Sequence, residues 1–283
     1  MNHVIYNGVD LTTFSLYVSG DKTFNSPEKN YTRVSIPGRS GDLYIWDGTY
    51  KNVPLKYDSI LIADYEANAA NVRNFLLSPN GYVVLEDDYH PEEYRLVVYK
   101  GPLEFNSVYL QAGVTTLEFD CKPQRFLKSG AISRQLNSAT YTITNPTYCP
   151  SKPLFEIAAS NSNVTVSCGG HGSPYMGFTV ASRDYPVFVD CETMDCYSIT
   201  DSNENSDQVG DLQTAGVYQD QNGYIHISPD NPINSYNQSV SKTLRNSLIT
   251  LTDNDFPTFS SGDVDILSEN YSLIKVTPRW YIL

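Results

Sequence analysis

The sequence predicts a mainly β fold, and three observations support that prediction. The chain of 283 residues contains 22 tyrosines and 11 phenylalanines, which favour strands. It also contains 17 glycines and 16 prolines, which favour turns. Only one segment, about Asp64 to Leu77, has a convincing helical pattern. At this length the chain accommodates two ordinary domains, each with its own core.

The charge balance argues against adhesive binding to nucleic acid. The formal net charge is −13, from 32 acidic and 19 basic residues. The chain contains no run of Lys and Arg that could track a phosphate backbone. An acidic surface suits ordinary solubility, and it also suits a conduit that DNA passes without adhering.

The N-terminal residues and the cysteines indicate the cellular compartment. No basic region followed by an apolar block opens the chain, and no apolar run approaches the roughly 18 residues of a membrane span. We therefore expect synthesis in the cytoplasm without export. The five cysteines form no Cys-x-x-Cys pair, so reduced and mostly buried thiols are predicted. They are Cys121, Cys149, Cys168, Cys191 and Cys196.

The glycine-rich stretch from Arg33 to Asn52 is the most distinctive part of the chain. Gly38, Gly41 and Gly48 mark places where the backbone needs a positive φ or a close approach, with short apolar pieces between them. This pattern predicts a tight loop running into β-structure. Arg39 can tie the loop to carboxylates or carbonyls of its own chain or of a neighbouring subunit, and the sequence leaves both alternatives open.

Two local patterns flank this stretch. Before it, Asn7-Gly8 predicts a tight hairpin turn between two short strands in the segment Val4 to Val18. After it, the helix from about Asp64 to Leu77 is predicted from helical spacing of apolar residues, with Asp64 as its N-cap. Ser78-Pro79-Asn80-Gly81 ends the helical pattern.

Four β-rich runs follow the helix, and the turn residues between them favour an antiparallel meander. The runs are Tyr82 to Glu86, Tyr94 to Tyr99, Leu103 to Leu110 and Val114 to Cys121. An acidic cluster from Glu86 to Glu93 lies between the first two runs. We interpret it as a solvated turn and not as the paired carboxylates of an acid–base site.

A change in composition divides the chain. Ser, Thr, Asn and Pro dominate from Ser129 to Pro153, which suits a connection. We predict a first domain over 1–136, a linker over 137–152 and a second domain over 153–283. Thr140 to Thr144 is either a linker strand or the first strand of the second domain.

The second half contains short strand candidates with Gly, Pro and Asn between them, as in a β-sandwich. They are Leu154 to Ala158, Val164 to Cys168, Met176 to Val180, Val187 to Asp190, Tyr224 to Ile227, Ser247 to Leu251 and Tyr271 to Val276.

Two patterns resemble reactive or metal-binding sites, and both have a simpler interpretation. Asp201-x-Asn203-x-Asn205-x-Asp207 has the alternating oxygens of a calcium loop but lacks its glycine and its final glutamate. Cys168-Gly169-Gly170-His171 places a thiol near an imidazole, although a glycine-rich turn explains it better. We therefore predict no catalytic, metal-binding or cofactor-binding residues, no cofactor and no enzymatic activity.

Motifs in both halves resemble one protein family. Ile36-Pro-Gly-Arg-Ser-Gly-Asp-Leu43, followed by Asp47-Gly-x-Tyr-x-Asn52, resembles the belt-domain signature of the distal tail (Dit) proteins of siphophages that infect Gram-positive bacteria. In the second half, Val189-Asp-Cys-Glu-Thr193, Phe256-Pro-x-Phe-x-x-Gly262 and Val276-x-Pro-Arg-Trp-Tyr-x-Leu283 resemble the family's galectin-like domain.

The resemblance implies a structural virion protein at the distal end of the tail. Its N-terminal belt domain would be sandwich-like, with one α-helix and a projecting β-hairpin, and would close six copies into one or two stacked rings. Its C-terminal domain would be a galectin-like β-sandwich. The ring would connect the tail tube protein to the tail-tip or lysin protein of the baseplate, with no membrane anchor, and DNA would pass its lumen without specific binding.

The resemblance also suggests interface residues. Ring-interface candidates are Arg39, Tyr94 and Arg95, and a Tyr94→Asp change is expected to weaken the ring. The polar segment 201–242 is either a disordered surface loop or an arm that docks receptor-binding or other baseplate proteins. Its docking candidates are Asp201, Asn203, Asn205, Tyr218, Tyr224 and Tyr236.

Two other functional classes remain as alternatives. The first is a carbohydrate-binding adhesin of the virion, because galectin-like folds bind sugars and aromatic residues such as Tyr175, Tyr185, Trp280 and Tyr281 can stack on them. However, a shared fold does not carry its ligand. The second is a virion cell-wall hydrolase, for which no catalytic motif is present.

Overall fold

A computed structural model describes residues 3–19, 25–108, 112–170, 173–200, 217–219, 225–227, 241–253 and 255–283. The chain divides into two compact units. Unit 1 comprises residues 1–125 and Leu283, and unit 2 comprises residues 126–282. Strands dominate both units, so the predicted mainly β class is confirmed.

Unit 1 is built on one large sheet with the strand order β2-β1-β7-β8-β10-β6-β3, and β9 pairs with β10. Strands β4 and β5 form a separate two-stranded sheet. The elements are β1 (Val4–Tyr6), β2 (Val9–Asp10), a 3-10 turn (Leu11–Phe14), β3 (Leu16–Ser19), β4 (Lys29–Val34), β5 (Leu43–Tyr50), β6 (Val53–Ile62), α1 (Tyr65–Leu77), β7 (Val83–Asp87), β8 (Glu93–Tyr99), β9 (Asn106–Val108) and β10 (Ala112–Leu127).

The first turn has the geometry that its dipeptide predicts. Asn7 and Gly8 have φ values of 49° and 76°, and β1 and β2 pair across them with Tyr6 opposite Val9. Positive φ at both central positions matches the right-handed twist of the flanking strands. The predicted hairpin is confirmed.

Helix α1 is present with Asp64 at the predicted N-cap position, but the Asp64 side chain does not cap the helix. Asp64 has φ 41° and ψ 49° and its side chain makes no capping hydrogen bond. An N-cap side chain reaches the first turn from an extended backbone, which Asp64 does not have. Instead, the Asn68 side-chain amide donates to the Ala63 carbonyl at 3.1 Å. Val72 and Leu76 bury the inner face of the helix.

The predicted meander and its acidic turn are only partly as expected. Strands β7 and β8 pair antiparallel, and β8 neighbours β10. The acidic turn between them is not wholly solvated, because the Glu86 side chain is buried. Asp87 accepts hydrogen bonds from the Tyr57 hydroxyl at 2.5 Å and the His90 amide at 2.8 Å. Tyr57 lies 30 residues before Asp87, so the local sequence does not reveal this contact.

The core of unit 1 is centred on Phe119 of β10. Its ring contacts those of Tyr6, Tyr57 and Tyr99 with centroid distances of 5.6, 6.1 and 5.5 Å. Alternate residues of β6 and β10 face this core, so the residues between them face outward.

Unit 2 consists of two sheets with the strand orders β11-β23-β13-β16-β17-β20 and β12-β22-β14-β15-β21. Buried residues of both sheets share one core, as in a β-sandwich. The elements are α2 (Lys128–Ala131), β11 (Arg134–Gln135), β12 (Thr140–Asn145), β13 (Leu154–Ile157), β14 (Val164–Gly170), β15 (Ser173–Val180), β16 (Val187–Asp190), β17 (Asp195–Thr200), β18 (Val217–Gln219), β19 (Ile225–Ile227), β20 (Ser241–Leu244), β21 (Ile249–Leu251), β22 (Gly262–Leu267), β23 (Ile274–Thr277) and β24 (Tyr281–Ile282), with 3-10 turns at Asn246–Leu248 and Tyr271–Leu273.

The division between the units lies before the predicted linker. Strand β12 pairs with β22 along its whole length, so Thr140–Asn145 is a strand of unit 2. Residues after Arg125 also belong there. The Gly130 carbonyl accepts from the Arg279 amide at 2.8 Å, and a Cβ at Gly130 would lie 2.3 Å from the Trp280 nitrogen. Long-range pairing outweighs a loop-like composition.

Two motifs of the second half, Val189 to Thr193 and Val276 to Leu283, contact each other inside unit 2. Arg279 donates from Nη1 to Asp190 Oδ1 at 2.6 Å and from Nη2 to Oδ2 at 2.9 Å. The side chains are 3% and 2% exposed. Burial raises the pKa of Asp190, but the Arg279 charge and hydrogen bonds, with the amides of Glu192 and Thr193, outweigh it and lower the pKa overall.

Candidate assembly interface

The hairpin of β4 and β5 is the most exposed apolar part of unit 1 among the residues that the structure describes. Seven of its large apolar side chains are between 36% and 58% exposed. They are Tyr31, Val34, Ile36, Leu43, Tyr44, Ile45 and Trp46. The hairpin forms its own two-stranded sheet and none of these side chains joins the core cluster of unit 1. Because exposed apolar surface is typical of interaction sites, the hairpin is the candidate interface of unit 1.

The predicted glycine conformations are confirmed. Gly38, Gly41 and Gly48 have φ values of 81°, 88° and 88°, a region that is costly for residues with a Cβ. A Cβ at any of the three positions would meet nothing within 4 Å. These glycines are therefore required by backbone conformation and not by close packing.

The hairpin has two chemically different faces, because side chains alternate along paired strands. Tyr31 lies opposite Trp46 and Arg33 opposite Tyr44, whereas Thr32 lies opposite Ile45 and Val34 opposite Leu43. We call the first group, with Lys29 and Tyr50, the aromatic face. We call Thr32, Val34, Leu43 and Ile45 the aliphatic face.

Ring and cation contacts organise the aromatic face. Tyr31 contacts Tyr44 at 5.8 Å between ring centroids, and Trp46 contacts Tyr50 at 5.7 Å. Lys29 Nζ lies 4.6 Å from the Trp46 ring centroid, a cation–π distance. This face therefore carries charge as well as apolar area.

Polar contacts fix the irregular end of β5. The Asp47 carboxylate accepts from the Thr49 amide at 2.8 Å and from its hydroxyl at 2.7 Å. These bonds, chiefly that of the hydroxyl, lower the pKa of Asp47. Trp46 Nε1 donates to the Thr49 carbonyl at 3.0 Å. The hairpin thus has a defined local structure although its side chains are exposed.

The hairpin begins and ends at neighbouring points. The Lys51 amide donates to the Glu28 carbonyl at 2.8 Å, and their side chains form an ion pair at 3.0 Å. Next to this base, the Asn25 amide group donates to the Pro54 carbonyl at 2.7 Å. Because its two ends meet, the hairpin can be removed without stretching the remaining chain.

Arg39 lies in the exposed loop that connects β4 to β5. Its backbone amide donates to the Ile36 carbonyl at 3.2 Å. Within the described ranges no hydrogen bond or ion pair of its guanidinium is present, so the intrachain clamp gains no support. The intersubunit role of Arg39 stays a prediction.

The other two interface candidates lie inside unit 1. Tyr94 and Arg95 of β8 are 1% and 5% exposed. A Tyr94→Asp change would place a carboxylate in the core and disturb folding, so it does not test the ring specifically. The local sequence does not reveal this burial, because the central position of β8 between β7 and β10 depends on long-range pairing.

The docking-arm candidates cannot be placed in the same way. Asp201, Asn203, Asn205, Tyr224 and Tyr236 lie outside the described residues. Tyr218 lies in β18, which pairs with β19, with Tyr218 opposite His226. The docking role of this segment stays a prediction.

The described ranges contain no group of three or more His, Cys, Asp or Glu side chains arranged to hold a metal ion. No helix in them is long and apolar enough to cross a bilayer. Burial raises the pKa of Cys168 and Cys191, so these thiols are poor nucleophiles. Of the four aromatic residues considered for sugar stacking, Trp280 is buried in the core of unit 2.

The described residues form two β units, one long helix and a separate two-stranded hairpin. Among solved structures the chain is similar to the Dit protein of phage SPP1, described as a paradigm of the hub adsorption apparatus in phages that infect Gram-positive bacteria. The TM-score is 0.53 and the identity 14%, and the match covers 95% of this chain and 98% of that chain. No protein-family model and no curated protein matches the sequence. The likeness shows the Dit fold, as the motifs predict.

Proposed function

We propose that the protein is a structural hub subunit at the distal end of a phage tail. In this proposal six copies form a ring that joins the tail tube to the tail-tip proteins. The single observation that carries it is the Dit fold over 95% of the chain. The exposed hairpin that bears the belt-like motif supports the same proposal, since it supplies a surface for assembly.

The energetics of the hairpin favour an intersubunit role. Seven exposed apolar side chains leave a large area in contact with water, and burying it against a neighbour is favourable at about 25 cal/mol per Å². Pairing or covering an exposed hairpin also removes an edge that would otherwise aggregate. We therefore assign the ring contact to β4 and β5.

The charge of the chain suits a conduit. With a net charge of −13, the protein repels the phosphate backbone, so DNA would pass the ring without adhering. Unit 2 would present the outer docking surface, and segment 201–242 would contribute to contacts with receptor-binding or lysin proteins.

Excision of the hairpin tests the proposal. Residues 29–50 are replaced by a two-residue Asn-Gly turn, because Glu28 and Lys51 already meet at 2.8 Å. We expect wild-type protein to reach the mass of a ring by light scattering at high concentration, and the excised variant to remain monomeric.

The control is the fold of the remaining chain, checked by circular dichroism and thermal unfolding, which should be unchanged. An excised variant that still assembles would contradict the role of the hairpin. Wild-type protein that stays monomeric at every concentration and salt level, and also with purified tail tube protein, would contradict the hub itself.

A further inference from the structure

The outward face of the large sheet in unit 1 carries a second apolar surface. On this face, apolar residues of neighbouring strands lie opposite one another across β3, β6, β10 and β9. Tyr17 lies opposite Ile60, Ile60 opposite Val114, and Ala112 opposite both Ile62 and Val108. We call this surface the outer patch. Its members are Tyr17, Ile60, Ile62, Val108, Ala112 and Val114.

The outer patch is confined to one end of the outward sheet face. Val108 and Val114 are each 42% exposed, and the other exposed large apolar side chain in the described part of unit 1 outside the hairpin is Leu77. The same sheet face becomes polar further along the strands. There Lys56 pairs with Glu118 at 2.9 Å, and the Thr116 hydroxyl donates to Asp58 at 2.8 Å. An apolar end on an otherwise polar face indicates a contact site.

A closed ring needs two different surfaces on each copy, one that is covered by the preceding copy and one that covers the next. The described part of unit 1 presents two apolar surfaces, the hairpin and the outer patch. Building on the proposed ring, we propose that the aliphatic face of the β4–β5 hairpin of one copy lies on the outer patch of the next copy.

The aliphatic face fits this contact better than the aromatic face. Thr32, Val34, Leu43 and Ile45 carry no charge, so burying them removes no ion from water. The aromatic face carries Lys29 above Trp46 and the ion pair of Arg33 with Asp42. Burying these charges would carry a desolvation penalty that the aliphatic face avoids.

Charge favours the same pairing. From Glu28 to Lys51 the hairpin has four basic and three acidic residues, whereas the rest of residues 1–125 has seven basic and thirteen acidic ones. The hairpin is thus a basic element on an acidic unit, and attraction between opposite charges steers it toward the body of another copy.

Disulfide cross-linking tests the pairing. In a Cys149→Ser background, Ile45→Cys and Val114→Cys are combined, and the mass under reducing conditions is measured first. On oxidation we expect a ladder of covalent oligomers up to the ring. The matched control, Tyr44→Cys with Val114→Cys, differs only in the hairpin face and should give no ladder.

The single variants sharpen the result. Oxidised alone, Ile45→Cys and Val114→Cys should each remain uncross-linked, and mixed together they should give dimers only, since one copy contributes each surface. Rings that form without any ladder, or a ladder from the Tyr44 control instead, would overturn the pairing but leave the hub intact. Wild-type protein that forms no rings, even with purified tail tube protein, would instead overturn the hub proposal, and the pairing with it.

Discussion

The β4–β5 hairpin of unit 1 and the Asp190–Arg279 pair of unit 2 reverse the usual placement of side chains. Apolar residues normally lie inside and charged residues outside. In the hairpin seven large apolar side chains are exposed, whereas Asp190 and Arg279 are almost completely buried. Both regions contain motifs that resemble those of the Dit family, yet the motif residues are exposed in the hairpin and buried in unit 2.

The difference indicates where each region obtains its stability. The buried ion pair is completed within unit 2 by two hydrogen bonds between its charges. The hairpin has local polar contacts, but its apolar side chains have no core of their own. Changes in the ion pair should therefore affect folding, and changes in the hairpin should affect assembly.

The largest expected effect is on the ion pair. Arg279→Met leaves Asp190 buried without a counter-charge, and we expect the free energy of unfolding of unit 2 to fall by about 3–5 kcal/mol. The chain has two tryptophans, the half-exposed Trp46 and the buried Trp280. In a Trp46→Phe background, fluorescence of Trp280 during urea unfolding reports on unit 2 alone.

Two controls accompany this measurement. Lys275→Met removes a more exposed ion pair of the same unit, with Glu156 at 3.6 Å, and should cost less than about 1 kcal/mol. The double change Asp190→Leu with Arg279→Met should cost less than Arg279→Met alone, because no charge stays buried. Equal losses for Arg279→Met and Lys275→Met would show that the buried pair is not a special element of unit 2.

An intermediate effect is expected from alanine at two glycines. A Cβ at Gly177 would lie 2.4 Å from the Val166 carbonyl oxygen in the core sheet, so Gly177→Ala should cost about 1–3 kcal/mol in unit 2. At Gly48 the space is open but φ is 88°, so alanine brings only backbone strain of about 1 kcal/mol.

Hydrogen exchange separates the two cases. Gly48→Ala should speed amide exchange in β4 and β5 and leave the unfolding of unit 2 unchanged. Gly177→Ala should destabilise unit 2 and leave amide exchange in β4 and β5 unchanged. Faster exchange throughout unit 1 in Gly48→Ala would mean that the hairpin is structurally coupled to the large sheet.

The smallest expected effect is the dependence of folding stability on pH. The pKa values of Asp190 and Asp47 are both lowered from 3.8, so each ionised carboxylate stabilises the folded state above about pH 4, and that contribution disappears as the pH falls through the lowered pKa. We expect acid to weaken unit 2 through Asp190 and only the hairpin through Asp47.

Asp47→Asn should therefore reduce the acid dependence of exchange in β4 and β5 while the acid unfolding of unit 2 stays as in the wild type. Carboxyl carbon shifts in an NMR titration provide the direct check. An Asp47 midpoint at or above 3.8 would contradict the Thr49 contacts as its cause.

Much of the local structure could be predicted from sequence. The Asn7-Gly8 hairpin, helix α1 and the positive φ values at Gly38, Gly41 and Gly48 depend on neighbouring residues only. The motifs also indicated the Dit fold, which the structural likeness supports. Assembly number, partners and the role of segment 201–242 are not encoded in such local patterns and stay predictions.

Local sequence determined the turns, the helix and the mainly β class, because glycine conformation, strand propensity and apolar spacing act over a few residues. Only the tertiary structure decided which residues are covered. It buried Tyr94 and Arg95 in a central strand, joined Asp190 to Arg279 across 89 positions and left the β4–β5 hairpin exposed. Burial depends on which distant strands pair, and an alternating apolar pattern looks the same whether its partner is the chain's own core or another copy.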